Sequence, residues 1–267
     1  MHKLAAYEEI EVTLVKEGKA TRFEDKVAVE YPVTVFLNDR EIITLLCTPE
    51  KMDFLALGFL YSEGFLEGKK DWKGTRVDEE NGVVYVDTDK EPFLSEELYG
   101  KRTLTTGCGK GTVFYSAWDS FKSRTVESDI RVSPSSLHRY MRLLQENSGL
   151  YGETGGVHSA ALCSGEEVVF FCEDVGRHNA LDKIVGECLE KEISLSDKVL
   201  ACSGRMSSEM LLKAAKLQIP VLVSRAAPTS LSIEIARSMG VTMVGFARGG
   251  RRMTVYAGEE RVLVDER

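Results

Sequence analysis

From Glu167 to Gly240 the chain repeats one unit: a short apolar run, a turn of small and charged residues, then an amphipathic segment. EVVFFC leads through EDVGRHN into ALDKIVGECLEK, KVLAC through SGRMSSE into MLLKAAKLQ, and PVLVS through RAAPTS into LSIEIARSMG. Apolar runs this short, bounded by turn residues, read as buried strands, and the segments after them space their apolar residues as a helix face does. Strands alternating with helices predict a largely parallel sheet with helices packed on it. A last strand, VTMVGFA, is followed by RGGRR and MTVYAG.

The residues before this repeat divide in the same way. GGVHSAALCSGEEVVFFCED reads as two strands around the turn SGEE. SPSSLHRYMRLLQENSG reads as a helix, with Ser133 before Pro134 at the first helical position and Gly149 as its stop. The first hundred residues form an α+β pattern. KVAVEYPVTVFLNDREIITLLC gives two strands joined at NDR, TPEKMDFLALGFLYSEG a helix with Thr48 as N-cap and Gly64 beyond its end, and NGVVYVDTD a further strand. Periodicity fades from Lys90 to Gly111, which reads as a mobile loop. Two units are expected: residues 1–125, an α+β subdomain ending in that loop, and residues 126–267, an α/β cofactor-binding domain.

Acidic residues outnumber basic ones by 42 to 34, a formal net charge of -8, which argues against a broad nucleic-acid surface. An anionic ligand must therefore be held by a local basic pocket. The most apolar window, FLALGFLYSEGFL, is short and broken by Glu63, so neither a membrane span nor a signal peptide is expected. The six cysteines form no CxxC pair, which points away from zinc and disulfide frameworks and toward a reducing cytoplasm.

In a parallel sheet, ligands sit where strand carboxyl ends run into helix N-termini. The turns there carry Arg177 and His178, then Ser203, Arg205, Ser207 and Ser208, then Ser224, Arg225 and Thr229, then Arg248 and Arg251. A single loop arginine is as readily solvated or paired with an acid. Successive turns with the same chemistry suit the oxygens of a phosphate-rich ligand. In RGGRR, Gly249 and Gly250 are either a plain turn between two strands or a place where backbone approaches a ligand held by Arg248 and Arg251. His158 is either a hydrogen-bonded structural residue or a pocket residue. His178 is either a ligand contact or part of a helix start capped by Asp174 or Asn179.

Cys47, Cys163, Cys172, Cys188 and Cys202 lie in apolar contexts that predict core positions. Cys108, in LTTGCGKGTV, does not. Arg102 and Lys110 favour its thiolate, and flanking glycines give the access that attack on sulfur needs. No His or Asp stands at a motif spacing from it, so protease-type acyl transfer is not indicated.

TGGVHSAAL, EDVGRHNALDKIVG, SGRMSSEML, VSRAAPTSLSIEIA and VGFARGGRRMTVY, with LALGFLYSEG and TGCGKG, closely resemble the FdhD/NarQ family of formate dehydrogenase accessory sulfurtransferases. The likeness runs in order over about residues 25 to 260. It implies a cytidine-deaminase-like α/β fold with a mixed sheet and flanking helices, usually dimeric. It also implies transfer of sulfur from a cysteine desulfurase to the molybdenum cofactor, a bis-molybdopterin guanine dinucleotide, before the cofactor enters formate dehydrogenase. By motif, Cys108 matches the persulfide-bearing cysteine, and Phe246, Ala247, Arg248, Gly249, Gly250 and Arg251 match the cofactor-binding stretch. The arginines read from the sequence suit the guanine nucleotide's phosphates. Many family members carry CxxC in the cysteine loop, whereas Gly111 stands at the second position here. Sulfur shuttling between paired thiols is therefore not expected in this loop, and a non-covalent cofactor chaperone is the alternative reading. A zinc deaminase is not expected, because His158 is followed by Ser159 and Ala160 and no CxxC occurs.

Overall fold

The computed structural model describes residues 4–89, 125–248 and 252–264. The chain begins with a two-stranded antiparallel ribbon, β1 (Tyr7–Lys16) and β2 (Lys19–Ala28). Next come β3 (Tyr31–Leu37), β4 (Arg40–Cys47), α1 (Met52–Glu63), β5 (Trp72–Asp78) and β6 (Val83–Thr88). These four strands form a sheet in the order β4-β3-β6-β5. The turn at Asn38 and Gly64 at the end of α1 lie where expected, Gly64 with φ 89.

The second part holds α2 (Pro134–Asn147), α3 (Gly149–Thr154), β7 (His158–Ser164), β8 (Glu167–Asp174) and α4 (Arg177–Lys191). It continues with β9 (Val199–Cys202), α5 (Ser208–Lys216), β10 (Val221–Ser224), α6 (Ser230–Met239), β11 (Thr242–Arg248) and β12 (Arg252–Ala257). The sheet order is β12-β11-β10-β9-β7-β8. Only β9, β10 and β11 are parallel, and β7, β8 and β12 join antiparallel, so the sheet is mixed, as the family resemblance implies, and not largely parallel as the strand–helix alternation alone suggests. The hairpin at Gly165 reverses the chain without a crossover helix, which makes β7 and β8 antiparallel, and β12 pairs antiparallel with β11 at the other flank.

Alternation along the central strands divides the core. Leu162, Leu200, Cys202, Leu222 and Met243 pack under α4, α5 and α6, while Ala161, Cys163, Val199, Ala201, Val223 and Val244 pack against α2. Both faces are covered, so β9 and β10 are buried along their whole length. Ser133 caps α2 through its Oγ, which accepts from the Ser136 N–H at 3.0 Å. Gly149 does not end a helix run: Ser148 caps α2, and α3 starts at Gly149, where Glu173 accepts the N–H groups of Leu150 and Tyr151 at 2.9 Å.

The two sheets meet through α1 and α4. α1 is apolar on nearly every side, and its burial follows from having the first sheet on one side and α4 on the other. The helices cross at Gly58 and Gly186, where an added Cβ would collide with the backbone carbonyls of Asp182 and Phe54 respectively.

Buried charge reinforces the crossing. Lys183 Nζ lies 2.7 Å from Asp174 Oδ2 and donates to the Thr48 carbonyl at 2.9 Å. Thr48 is therefore not the cap expected of it. Its N–H donates to Asp174, its Oγ1 accepts from the Val175 N–H, and Lys51 at φ 52 opens α1 instead. Asp182 is gripped by Lys213 at 2.8 Å and by Ser62, and Glu187 is paired with Lys51 and Lys191.

Candidate functional site

The carboxyl ends of β9, β10 and β11 lie at one edge of the large sheet. Because β7 runs antiparallel to β9, its first residue His158 lies at that edge too, paired with Asp174 at the end of β8. The first residues of α4, Arg177 and His178, follow directly. Asp174 shapes this turn: its Oδ1 accepts from the Gly176 N–H at 2.8 Å and from Asn179 Nδ2 at 2.9 Å.

Gly204 decides how closely these residues gather. A Cβ added there would lie 3.3 Å from Arg177 Cδ and 3.4 Å from His158 Nδ1, so the missing side chain lets both sit against the β9–α5 loop. Arg177 Nε and Nη2 are buried with no hydrogen-bond partner among the described residues. Ser207, 2% exposed, occupies the N-cap position of α5, yet its Oγ makes no capping bond and no other hydrogen bond among the described residues. His178 Nε2 lies 3.2 Å from Glu209 Oε2. Burial, aided by the neighbouring Arg177 and His178, holds the His158 imidazole below its ordinary pKa, so it is neutral at pH 7.

Buried donors without partners are rare in folded proteins because each forfeits its hydration. Here they belong to a guanidinium and a helix N-cap hydroxyl, groups that suit phosphate oxygens. The donors present thus fit a phosphate-bearing ligand.

A second cluster lies along the same edge. Arg248 Nε donates to the Arg225 carbonyl at 2.7 Å, and its guanidinium stands 5.4 Å from the centre of the Phe246 ring. Phe246 has φ 52 at a bulge between Gly245 and Arg248, an unusual conformation for a large side chain. Arg225 donates to Gln145 Oε1 at 3.1 Å. The loops bearing the clusters are tied together by a bridge between Met206 and Pro228.

The remaining sequence candidates are placed differently. Arg205 is exposed. Ser203 Oγ accepts from the Ser159 N–H at 2.9 Å. Ser224 is fully buried, its Oγ donating to the Gly204 carbonyl and accepting from the Ala226 N–H. Thr229 forms a reciprocal capping box with Ser232. Ala247 belongs to the core under α2. Cys108, Gly249, Gly250 and Arg251, with the expected loop of Lys90 to Gly111, lie outside the described residues.

Gly204, Glu209 and Gln145 escaped the sequence reading, because their roles depend on partners distant in the chain. The five cysteines expected in the core are free and buried. Burial pushes the thiols of Cys47, Cys163 and Cys188 up to about 12 and that of Cys202 to about 11, and raises Cys172 as well. Among the described residues no three His, Cys, Asp or Glu side chains converge as a metal-ligand set, and no helix is long and apolar enough to cross a membrane.

Comparison with known proteins agrees with this architecture. A sulfur carrier protein FdhD of Bacillus subtilis is 42% identical over 247 residues, covering 92% of this chain and 94% of the relative. The protein of the same name from Geobacillus kaustophilus is 40% identical, covering 93% and 94%. A crystal structure from Desulfotalea psychrophila, described as a formate dehydrogenase accessory protein, superposes with a TM-score of 0.79 over 97% of this chain and all of that one. At 24% identity that likeness speaks for the fold alone. The sequence profile of the FdhD/NarQ family matches residues 28–263, and with relatives this similar over nine-tenths of its length, the chain belongs to the FdhD/NarQ family.

Proposed function

We propose that this chain is a cytoplasmic, dimeric sulfur carrier serving formate dehydrogenase, with Cys108 as the carrying thiol. The observation that carries the reading is 42% identity, over 92% of the chain, to a relative named as a sulfur carrier. Assignment to Cys108 draws on elimination: each other cysteine is buried and protonated at neutral pH, whereas a carrier needs an accessible thiolate. The Cys108 thiolate attacks the outer sulfur of a persulfide on a cysteine desulfurase. A new S–S bond forms on Cys108, and the donor cysteine leaves as its thiolate. In delivery, an electron pair from the acceptor forms the bond to sulfur, and the S–S pair departs with Cys108.

The acceptor in this reading is the molybdenum cofactor, bis-molybdopterin guanine dinucleotide, bound as substrate. Arg177 and Ser207 supply unpaired donors for phosphate oxygens, and Arg248 stands in the family's cofactor-binding stretch beside Phe246. Neutral His158 offers an acceptor without adding charge to the pocket. Complementation tests the proposal. In a host lacking its own sulfur carrier, the native chain restores formate dehydrogenase activity and Cys108→Ala does not. Full restoration by Cys108→Ala would instead support a chaperone that delivers the cofactor without covalent sulfur chemistry, the reading favoured by Gly111 at the second cysteine position.

A further inference from the structure

A cavity of about 310 Å³ opens between the carboxyl-terminal ends of α1, α4 and α5. It lies at the opposite edge of the large sheet from Arg177 and Arg248, because its walls include the chain entering β9 and β10 at their first residues. Tyr61, Val185 and Leu189 give it an apolar side, Ser194 and Gln218 a polar one, and Lys69, Lys216 and Glu192 its charges.

The two lysines differ. Lys69 Nζ is engaged by the Glu190 carbonyl at 2.8 Å and Glu192 Oε2 at 2.9 Å. Lys216 makes no hydrogen bond or ion pair among the described residues. Its Nζ rests against the bare backbone of Gly64, where an added Cβ would be 3.1 Å away. Burial lowers this amine to about 8, helped by Lys213 on its own helix and opposed by Glu63 of α1 and Asp182 of α4. Asp182 and Glu63 both pair with Lys213, at 2.8 and 3.8 Å, and neither forms an ion pair with Lys216. A half-buried cation with no direct ion-pair partner among the described residues, on the wall of a partly apolar hollow, favours a ligand that brings one negative charge and a hydrocarbon body.

We propose that this cavity is a binding site for a small amphipathic carboxylate, its carboxyl group on Lys216 Nζ and its hydrocarbon against Tyr61, Val185 and Leu189. The ligand supplies the direct ion pair that neither Glu63 nor Asp182 makes with Lys216, so its affinity falls as pH rises and the free amine loses its proton.

Calorimetry on the full chain with hexanoate, hexanol and inorganic phosphate tests this. Hexanoate binds saturably at one site per chain, while hexanol and phosphate bind at least tenfold more weakly. Lys216→Met lowers hexanoate affinity at least tenfold without shifting the melting temperature, and Lys69→Met leaves it within about twofold. Acetic anhydride labels Lys216, and hexanoate slows that labelling. Absence of saturable hexanoate binding, equal affinity for hexanol or phosphate, or full retention of binding in Lys216→Met would overturn the proposal. Each readout is independent of sulfur transfer and of the nucleotide edge.

Discussion

Lys183 and Asp174 form an ion pair of 2.7 Å whose side chains are 1% and 0% exposed, and the same lysine holds the carbonyl of Thr48, 135 residues away in the chain. One buried charge pair therefore fastens the end of β4 to the end of β8 and the middle of α4, beside the edge that carries Arg177. Removing either partner leaves the other charge buried and uncompensated, at a cost of about 3–5 kcal/mol. Asp174→Asn and Lys183→Met are each expected to lose stability of that order in urea unfolding. The double variant is expected to lose less than the sum, because neither charge is then stranded.

Ser207 separates ligand binding from stability. A capping serine replaced by alanine ordinarily costs about 1 kcal/mol, but this hydroxyl has no hydrogen-bond partner among the described residues. Ser207→Ala is expected to unfold within about 0.5 kcal/mol of the native chain and to bind guanosine diphosphate more weakly. Arg177→Met is expected to lose at least tenfold in that affinity, about 1.4 kcal/mol, with no loss of stability. Unchanged affinity in calorimetry for both variants would remove this cluster from the nucleotide site.

His158 gives the edge a pH signature. Its folded-state pKa is lowered, chiefly by burial and further by Arg177 and His178, so the unfolded chain binds a proton more readily. Its contribution to stability is complete above the unfolded value of about 6.5, and it is lost as pH falls from there through the folded value. Unfolding free energies measured between pH 5 and pH 8 are expected to decline on the acid side, and His158→Gln is expected to flatten part of that decline.

The strand–turn–helix repeat was legible because β9 and β10 are buried on both faces and α6 on one, which writes the two periods directly into the residues. The ribbon of β1 and β2 was missed although Ile10, Val12 and Leu14 alternate, across from Asp25, Phe23 and Thr21. Its charged residues hid the period. The misplaced cap at Thr48 has a different cause: local patterns describe bonds within a few residues, and Thr48 is claimed by Asp174 and Lys183 from the other end of the fold. At the site, the sequence pointed to the basic turns. It did not indicate which hydroxyls face inward, because Ser207 and Ser224 occupy equivalent-looking turns and only Ser224 is satisfied by the backbone of Gly204 and Ala226.

The central claim, that sulfur travels on Cys108, is tested most directly by intact mass spectrometry after incubation with a cysteine desulfurase and cysteine. The native chain is expected to gain one sulfur atom that a thiol reductant removes, and Cys108→Ala to gain none. No gain on the native chain, or an equal gain on Cys108→Ala, would contradict it.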